Sequence, residues 1–308
     1  MDIVTQGLLG GALAQAGSRQ RHARLAALVG FGAGLLADSD AFIKSASDPL
    51  LTLEFHRHFT HALVFIPVGA AIAAALLWPF LRRRLSFAWI YLYAFLGYAT
   101  SGFLDACTSY GTHLLWPFTE ERIAWSIISI FDPVFSLTLI AAIVYGAVRR
   151  RPAAARVGIA LAAAYLGLGL VQHQRAEQAA GELAAARGHA AGRLVVKPTM
   201  GNLLLWRSIH ESGGAFHVDA IRIGAAGPAR IYPGRSAPVF QVERDLPQVP
   251  RDSVLYDDIQ RFMAFSEGYV VADPRRPGEL GDVRYAMLPN AISPLWGIRF
   301  DSAAPQRH

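Results

Sequence analysis

The strongest constraint on this chain is a pair of apolar runs, residues 61–81 and 87–107, each long enough to cross a lipid bilayer. A helix needs about 20 such residues to span the hydrocarbon layer, because each residue advances it by only about 1.5 Å. Trp89, Tyr91 and Tyr93, near the start of the second run, carry the amphipathic rings that settle at headgroup level. Pro67 falls inside the first run, where neighbouring helices must satisfy the carbonyl it frees. Two shorter runs come earlier, residues 3–16 and 25–37. Gly7 and Gly11 in one, and Gly30 and Gly34 in the other, repeat at i, i+4, which lets helix backbones approach closely inside a bundle. We read them as a tight helical hairpin shielded by the longer spans. Asp132-Pro133 opens a fifth helix, with aspartate as N-cap and proline in the first turn, running to about residue 148. A sixth covers about 153–171.

Composition then divides the chain. Its apolar share of 53% and charged share of 17% average over two unlike parts. Residues 1–172 are dominated by Ala, Leu, Ile, Val and Gly, residues 173–190 form a polar, alanine-rich helical connector, and residues 191–308 have ordinary soluble composition. In that last part strand-like runs at 194–197, 203–210, 216–223, 239–243, 269–272, 283–288 and 296–300 alternate with Gly/Pro punctuation. One helical run, 253–265, interrupts them. The expected fold is a membrane all-α helical bundle of about six helices, two of them short, followed by a small soluble α+β domain.

A net charge of +6 would ordinarily raise nucleic acid or acidic lipid as a partner. Most of the basic residues, however, lie in arginine clusters at 19–24, 82–84 and 149–156, between apolar runs. They therefore signal topology, and nucleic acid is not expected. The positive-inside rule places the three clusters in the cytoplasm. Six crossings follow, with the N-terminus, the loops 38–60 and 108–132, and everything after residue 172 on the outer side. In a Gram-negative inner membrane that is the periplasm. Met1-Asp2 supplies no positive region ahead of the first apolar run, so that run is not read as a cleavable signal. The single cysteine, Cys107, excludes an intrachain disulfide and a multi-cysteine zinc site.

Against this apolar background the polar residues stand out. Residues 54–61 read Glu-Phe-His-Arg-His-Phe-Thr-His, placing His56 and His58 in a loop and His61 in the first turn of the next helix, with Thr60 as its N-cap. On the topology above, Asp38 and Asp40 end the second helix, the histidines enter the third, Asp105 ends the fourth and Asp132 enters the fifth. All lie at outer helix ends, where Asp2 and Gln6 join them. Mixed nitrogen and oxygen donors suit zinc, manganese or iron, whereas calcium and magnesium prefer oxygen alone. Simpler roles compete at several positions. Asp132 before Pro133 is also a plain N-cap. Asp38 and Asp40, two residues apart, face different ways on a regular helix. Arg57 can pair with Asp38 or Asp40, or bind an anionic substrate as a fork. His113 has a weaker claim, and His173, His189, His210, His217 and His308 are assigned to the surface or core of the outer half.

Several segments together resemble the YdjM-type family of inner-membrane proteins, regarded as metal-dependent hydrolases and LexA-regulated in some members. They are Met1-Asp2-Ile3-Val4-Thr5-Gln6, Leu36-Ala37-Asp38-Ser39-Asp40, His56-Arg57 with Thr60-His61, Leu104-Asp105, the loop from Thr108 to Phe118, and Ile130-Phe131-Asp132-Pro133. The resemblance covers roughly the first 150 residues strongly, and the outer domain more loosely through Asn202–Arg207 and Asp282–Tyr285. The chain departs from the pattern at Ser101, where many relatives carry histidine, at Ala37 in place of proline, and at His58 in place of glycine.

Two functions of different class follow. In the enzymatic one, Asp38, Asp40, His56, His61 and Asp105 hold one or two divalent ions, zinc or manganese foremost, that activate water. Asp40 or Asp132 serves as general base and Arg57 steadies the oxyanion. A site at membrane level favours a membrane lipid or a lipid-linked ester or phosphoester as substrate. In the non-enzymatic one, the chain anchors its outer domain and the His/Asp cluster is a structural network or a metal clip.

Overall fold

The computed structural model describes residues 1–190, 192–302, 304 and 306. Apolar character makes most of the N-terminal part helical, with the connection 107–132 the longest irregular stretch in it. Asp2 caps α1 (Ile3–Ala16) by accepting the Thr5 N–H. Then come α2 (Ala23–Leu36), a short α3 (Leu51–Phe55), α4 (Ile66–Leu81), α5 (Phe87–Ala106), α6 (Pro133–Arg149) and α7 (Pro152–Ala186). Among the described residues four helical stretches are long and apolar enough to cross a membrane: Gln20–Phe42, Leu63–Leu81, Phe87–Ala106 and Pro152–Ala186. The first is longer than its apolar run, 25–37, suggests, because 3-10 turns extend α2 at both ends. At 14 and 17 residues, α1 and α6 are shorter.

The chain divides into two compact units: Met1–Ile43 with Phe55–Val171 and Met200–Asn202, and Lys44–Glu54 with Gln172–Thr199 and Leu203–His308. In the first, α1, α2 and α5 cross at three glycines. A Cβ added at Gly10 would lie 2.7 Å from the Gly30 carbonyl oxygen and 2.9 Å from that of Gly97. Arg24 bonds the Ala147 and Val148 carbonyls near the end of α6, Arg156 bonds the Ala16 carbonyl that ends α1, and Arg19 lies over Trp89 at the start of α5. Such contacts gather the arginine-bearing connections at one end of the helices.

Three local expectations change. His61 lies in its own 3-10 turn (Phe59–His61) and not in the first turn of α4, and Thr60 makes no capping bond. A second 3-10 turn (Leu63–Phe65) follows before α4 begins. Pro67 accordingly sits in the first turn of α4, where its missing N–H costs nothing, and Pro79 is the proline inside. The span and the connector expected around residue 172 are one helix of 35 residues, since no proline follows Pro152 in it and alanine and leucine outweigh its glycines.

In the second unit β1 (Leu194–Pro198), β2 (Leu205–Ser212), β3 (Ala215–Arg222) and β4 (Arg230–Pro238) form an antiparallel sheet in that order. A short α8 (Val242–Asp245) and α9 (Val254–Phe265), capped by Ser253, come next. A second antiparallel sheet holds β5 (Val270–Ala272), β6 (Glu279–Asp282) and β7 (Gly297–Arg299). The expected strand at 239–243 is replaced by α8, and that at 283–288 by β6 just before it. β4 has no counterpart in the sequence reading: it is mostly exposed and holds Pro233 and Pro238, tolerable because it is an edge strand. Arg261 of α9 binds Asp48 and Glu54, fixing residues 44–54 to this unit.

Candidate metal centre

The site forms where helix ends meet irregular turns. Asp38 and Asp40 ride on the 3-10 turn that prolongs α2, and Asp105 lies one residue before the end of α5. The Phe59–His61 turn rests against α5 at Gly102, where a Cβ would collide with the His61 carbonyl oxygen. The Tyr98 hydroxyl, two turns before Asp105 on the same helix face, donates to the Thr60 carbonyl at 2.8 Å.

His61 is buried at the centre. Its Nε2 lies 3.3 Å from Asp38 Oδ1 and 3.1 Å from Asp105 Oδ2, and has no hydrogen-bond partner among the described residues. Its Nδ1 lies 3.0 Å from the Thr60 hydroxyl and 3.3 Å from Asp40 Oδ2. A proton held on Nδ1 by Asp40 leaves the Nε2 lone pair aimed between two carboxylates. That is how a carboxylate behind the ring orients a metal-binding histidine. Donor atoms on a tetrahedral zinc ion stand about 3.4 Å apart, given bonds of about 2.0–2.2 Å. Asp38, His61 and Asp105 are thus grouped to hold a metal ion, and their donors fit a borderline divalent one.

Asp40 sits behind these three. Its Oδ2 accepts the Arg57 N–H at 2.7 Å and the Thr60 hydroxyl at 2.9 Å, and its Oδ1 faces His56 Nδ1 at 3.3 Å. His56 is partly exposed and lines a groove of about 470 Å³ with Asp38, Ile3, Leu35, Leu36 and Phe42. Arg57 is buried in a left-handed conformation (φ 59°), uncommon for a side chain other than glycine. Its guanidinium donates to Thr108 at 2.9 Å and lies 3.3 Å from Asp105 Oδ1, while its Nε has no partner among the described residues. So Asp105 is the carboxylate its side chain pairs with, and Asp40 meets only its backbone. Gln6 donates to Asp105 at 3.0 Å, and the Met1 amine also contacts that carboxylate.

Asp132 stands apart. One oxygen caps α6 through the Phe135 N–H at 3.1 Å, and the other accepts the Tyr165 hydroxyl at 2.9 Å. Ser101 donates to the Gly34 carbonyl. His58 turns toward His113, with ring centroids 4.6 Å apart, and toward Glu120 at 3.6 Å, making a separate group of metal-ligand type. Burial, and after it Arg122 and His58, push the His113 imidazolium down to about 4, so His113 is neutral at physiological pH. Tyr98 and Thr108 hold the site together through backbone carbonyls, parts that residue type alone does not reveal. The helical position of Tyr98 seven residues before Asp105 was the available signal.

The model of the family described as YdjM inner membrane protein matches residues 1–176, which contain every residue of this centre. Comparison with curated proteins and with solved structures finds no match. With four helices of spanning length and a family match over more than half of its length, this chain belongs to the YdjM inner membrane protein family.

Proposed function

We propose that this protein is a membrane-bound, metal-dependent hydrolase that cleaves a lipid or lipid-linked ester or phosphoester at the outer face of the inner membrane. The observation that carries the proposal is His61 Nε2: a buried nitrogen, unpartnered among the described residues, between the carboxylates of Asp38 and Asp105. Those three residues would hold the ion, zinc or manganese by donor type. When bound, it supplies Lewis-acid activation of the scissile group and of the attacking water.

The chain's own residues do the rest. Asp40 and Thr60 fix the His61 ring, and the donors already on Asp40 leave it to orient instead of to move protons. His56, partly exposed on the groove, is the group placed to take a proton from the nucleophile and return it to the leaving oxygen. Arg57 fixes Asp105 and keeps an Nε–H free for an anionic oxygen. In this proposal Asp132 caps α6 and takes no part in the chemistry. Leu35, Leu36 and Phe42 give the groove an apolar wall beside Asp38, which suits an acyl or prenyl chain. The outer face follows from the arginine loops at the opposite helix ends, and it puts the C-terminal unit in the periplasm.

The test is hydrolysis of phosphoester and carboxyester lipid analogues by detergent-purified protein, with and without chelator, supplying zinc and manganese separately. We expect turnover that chelation removes and that His61→Ala lowers by at least 100-fold. Turnover unchanged by both would contradict the metal mechanism. A folded protein that takes up no ion at this centre would favour the anchor reading, in which Arg57, Gln6 and the Met1 amine already satisfy Asp105.

A further inference from the structure

A second group of ligand-type side chains comes together in the C-terminal unit: His189, His210 and His217. His210 and His217 are direct partners across β2 and β3, so their rings share one face of the sheet, 5.0 Å between centroids and 19° from parallel. His189 arrives from another element and is held there from both sides. After α7 ends, Gly188 takes a positive φ of 72°, and the His189 N–H bonds back to the Ala184 carbonyl at 3.0 Å. One residue earlier, Arg187 forks onto Asp219 of β3 at 2.6 and 2.9 Å, and Asp219 also accepts the Gly234 N–H at 3.1 Å. The turn and the fork seat the His189 ring 5.1 Å from that of His210 and 4.3 Å from that of His217.

Stacked histidines can simply fill space, but here the nitrogens are arranged for more. His189 Nδ1 and His210 Nε2 face each other at 2.8 Å, and His217 Nε2 lies 3.4 Å from the Ser212 carbonyl. With its Nε2–H on that carbonyl, the outer partner that metal-binding histidines commonly have, His217 has Nδ1 left as its lone-pair donor. Each of the three offers a nitrogen within 4.8 Å of the other two. A tetrahedral ion needs about 3.4 Å between such atoms, within reach of small ring rotations. The nearby Asp219 is engaged by Arg187 and Gly234, so the donor set is imidazole alone.

We propose that His189, His210 and His217 form a second metal site, taking a borderline transition ion such as zinc, with a fourth position open to solvent. Three neutral imidazoles suit zinc, copper or nickel and reject calcium and magnesium. His189 and His217 are partly exposed whereas His210 is buried, so the ion has a route in from water. Once bound, it clamps the end of α7 to the β2–β3 pair. The site stands independently of the Asp38–His61–Asp105 centre.

The test uses the full chain in detergent, stripped with chelator, then titrated with zinc, and with cobalt(II) for its visible d–d absorption. Wild type should bind one zinc equivalent more than His189→Gln, and His217→Gln should weaken the same equivalent at least tenfold. Asp105→Asn should leave it in place. The cobalt spectrum of that equivalent should be four-coordinate, and zinc should raise the melting temperature of wild type but not of His189→Gln. Because His189 lies outside the strands, His189→Gln keeps the sheet intact, which matching melts in chelator will verify. Equal zinc stoichiometry and affinity in wild type and His189→Gln would overturn the site.

Discussion

Asp40 shows how a residue of ligand type acquires a different part from its surroundings. Sequence placed it among the metal ligands with Asp38, two positions away. The 3-10 turn sends Asp38 toward His61 Nε2 and Asp40 toward Nδ1, where the Arg57 N–H and the Thr60 hydroxyl also reach it. Asp40→Asn should therefore keep the fold and weaken metal binding by about 10- to 100-fold, the usual cost of losing such a partner, whereas Asp38→Asn should cost more. Isothermal titration of stripped protein distinguishes the two. His61, Asp38 and Asp105 were legible because carboxylates and imidazoles are out of place at the ends of apolar helices. His189, His210 and His217 were assigned to surface or core because strand register and a helix end bring them together, not sequence spacing. His210 adds a pH dependence of its own. Burial, then His217 and His189, push its imidazolium down from 6.5 to about 4. Between those values the unfolded chain binds a proton that the folded one does not, so stability falls as pH drops through that window. Thermal melts in chelator at pH 7 and pH 5 should show this loss, and His210→Asn should reduce it.

At the scale of elements the glycine crossing is where the backbones of α1, α2 and α5 approach each other closely. The i, i+4 glycines in residues 3–16 and 25–37 announced close helix approach, but Gly10 and Gly97 were not among those singled out. Which glycine meets which backbone depends on helix rotation, which small-residue spacing alone does not set. Gly10→Ala should destabilise the protein by about 1–3 kcal/mol, the usual cost of overpacking, because backbone oxygens at 2.7 and 2.9 Å cannot swing aside. Gly167→Ala in α7, with nothing within 4 Å of the added methyl, should be neutral or stabilising by up to about 1 kcal/mol. Melting temperatures in one detergent compare them directly. Most helices and several strands were readable from apolar runs and turn residues. β4 was not, since an exposed edge strand with two prolines has neither the alternation nor the composition of a typical strand.

For the molecule as a whole, the proposed orientation rests on the arginine loops sharing the helix ends opposite the His/Asp centre. A periplasmic phosphatase fused after residue 190 should be active, and a fluorophore that matures only in the cytoplasm should stay dark there. The reverse pattern would place the centre on the cytoplasmic side. The central claim is that Asp38, His61 and Asp105 bind a divalent ion, and metal content measures it most directly. Full-length protein carrying His189→Gln and His217→Gln, which removes the second proposed site, should be purified after growth in zinc or manganese and analysed by mass spectrometry. It should hold at least one ion per chain. Adding Asp105→Asn or His61→Ala should lower the content by one ion while the helical circular dichroism is unchanged. An ion content that is the same with and without those substitutions, or zero in all of the proteins, would contradict the account.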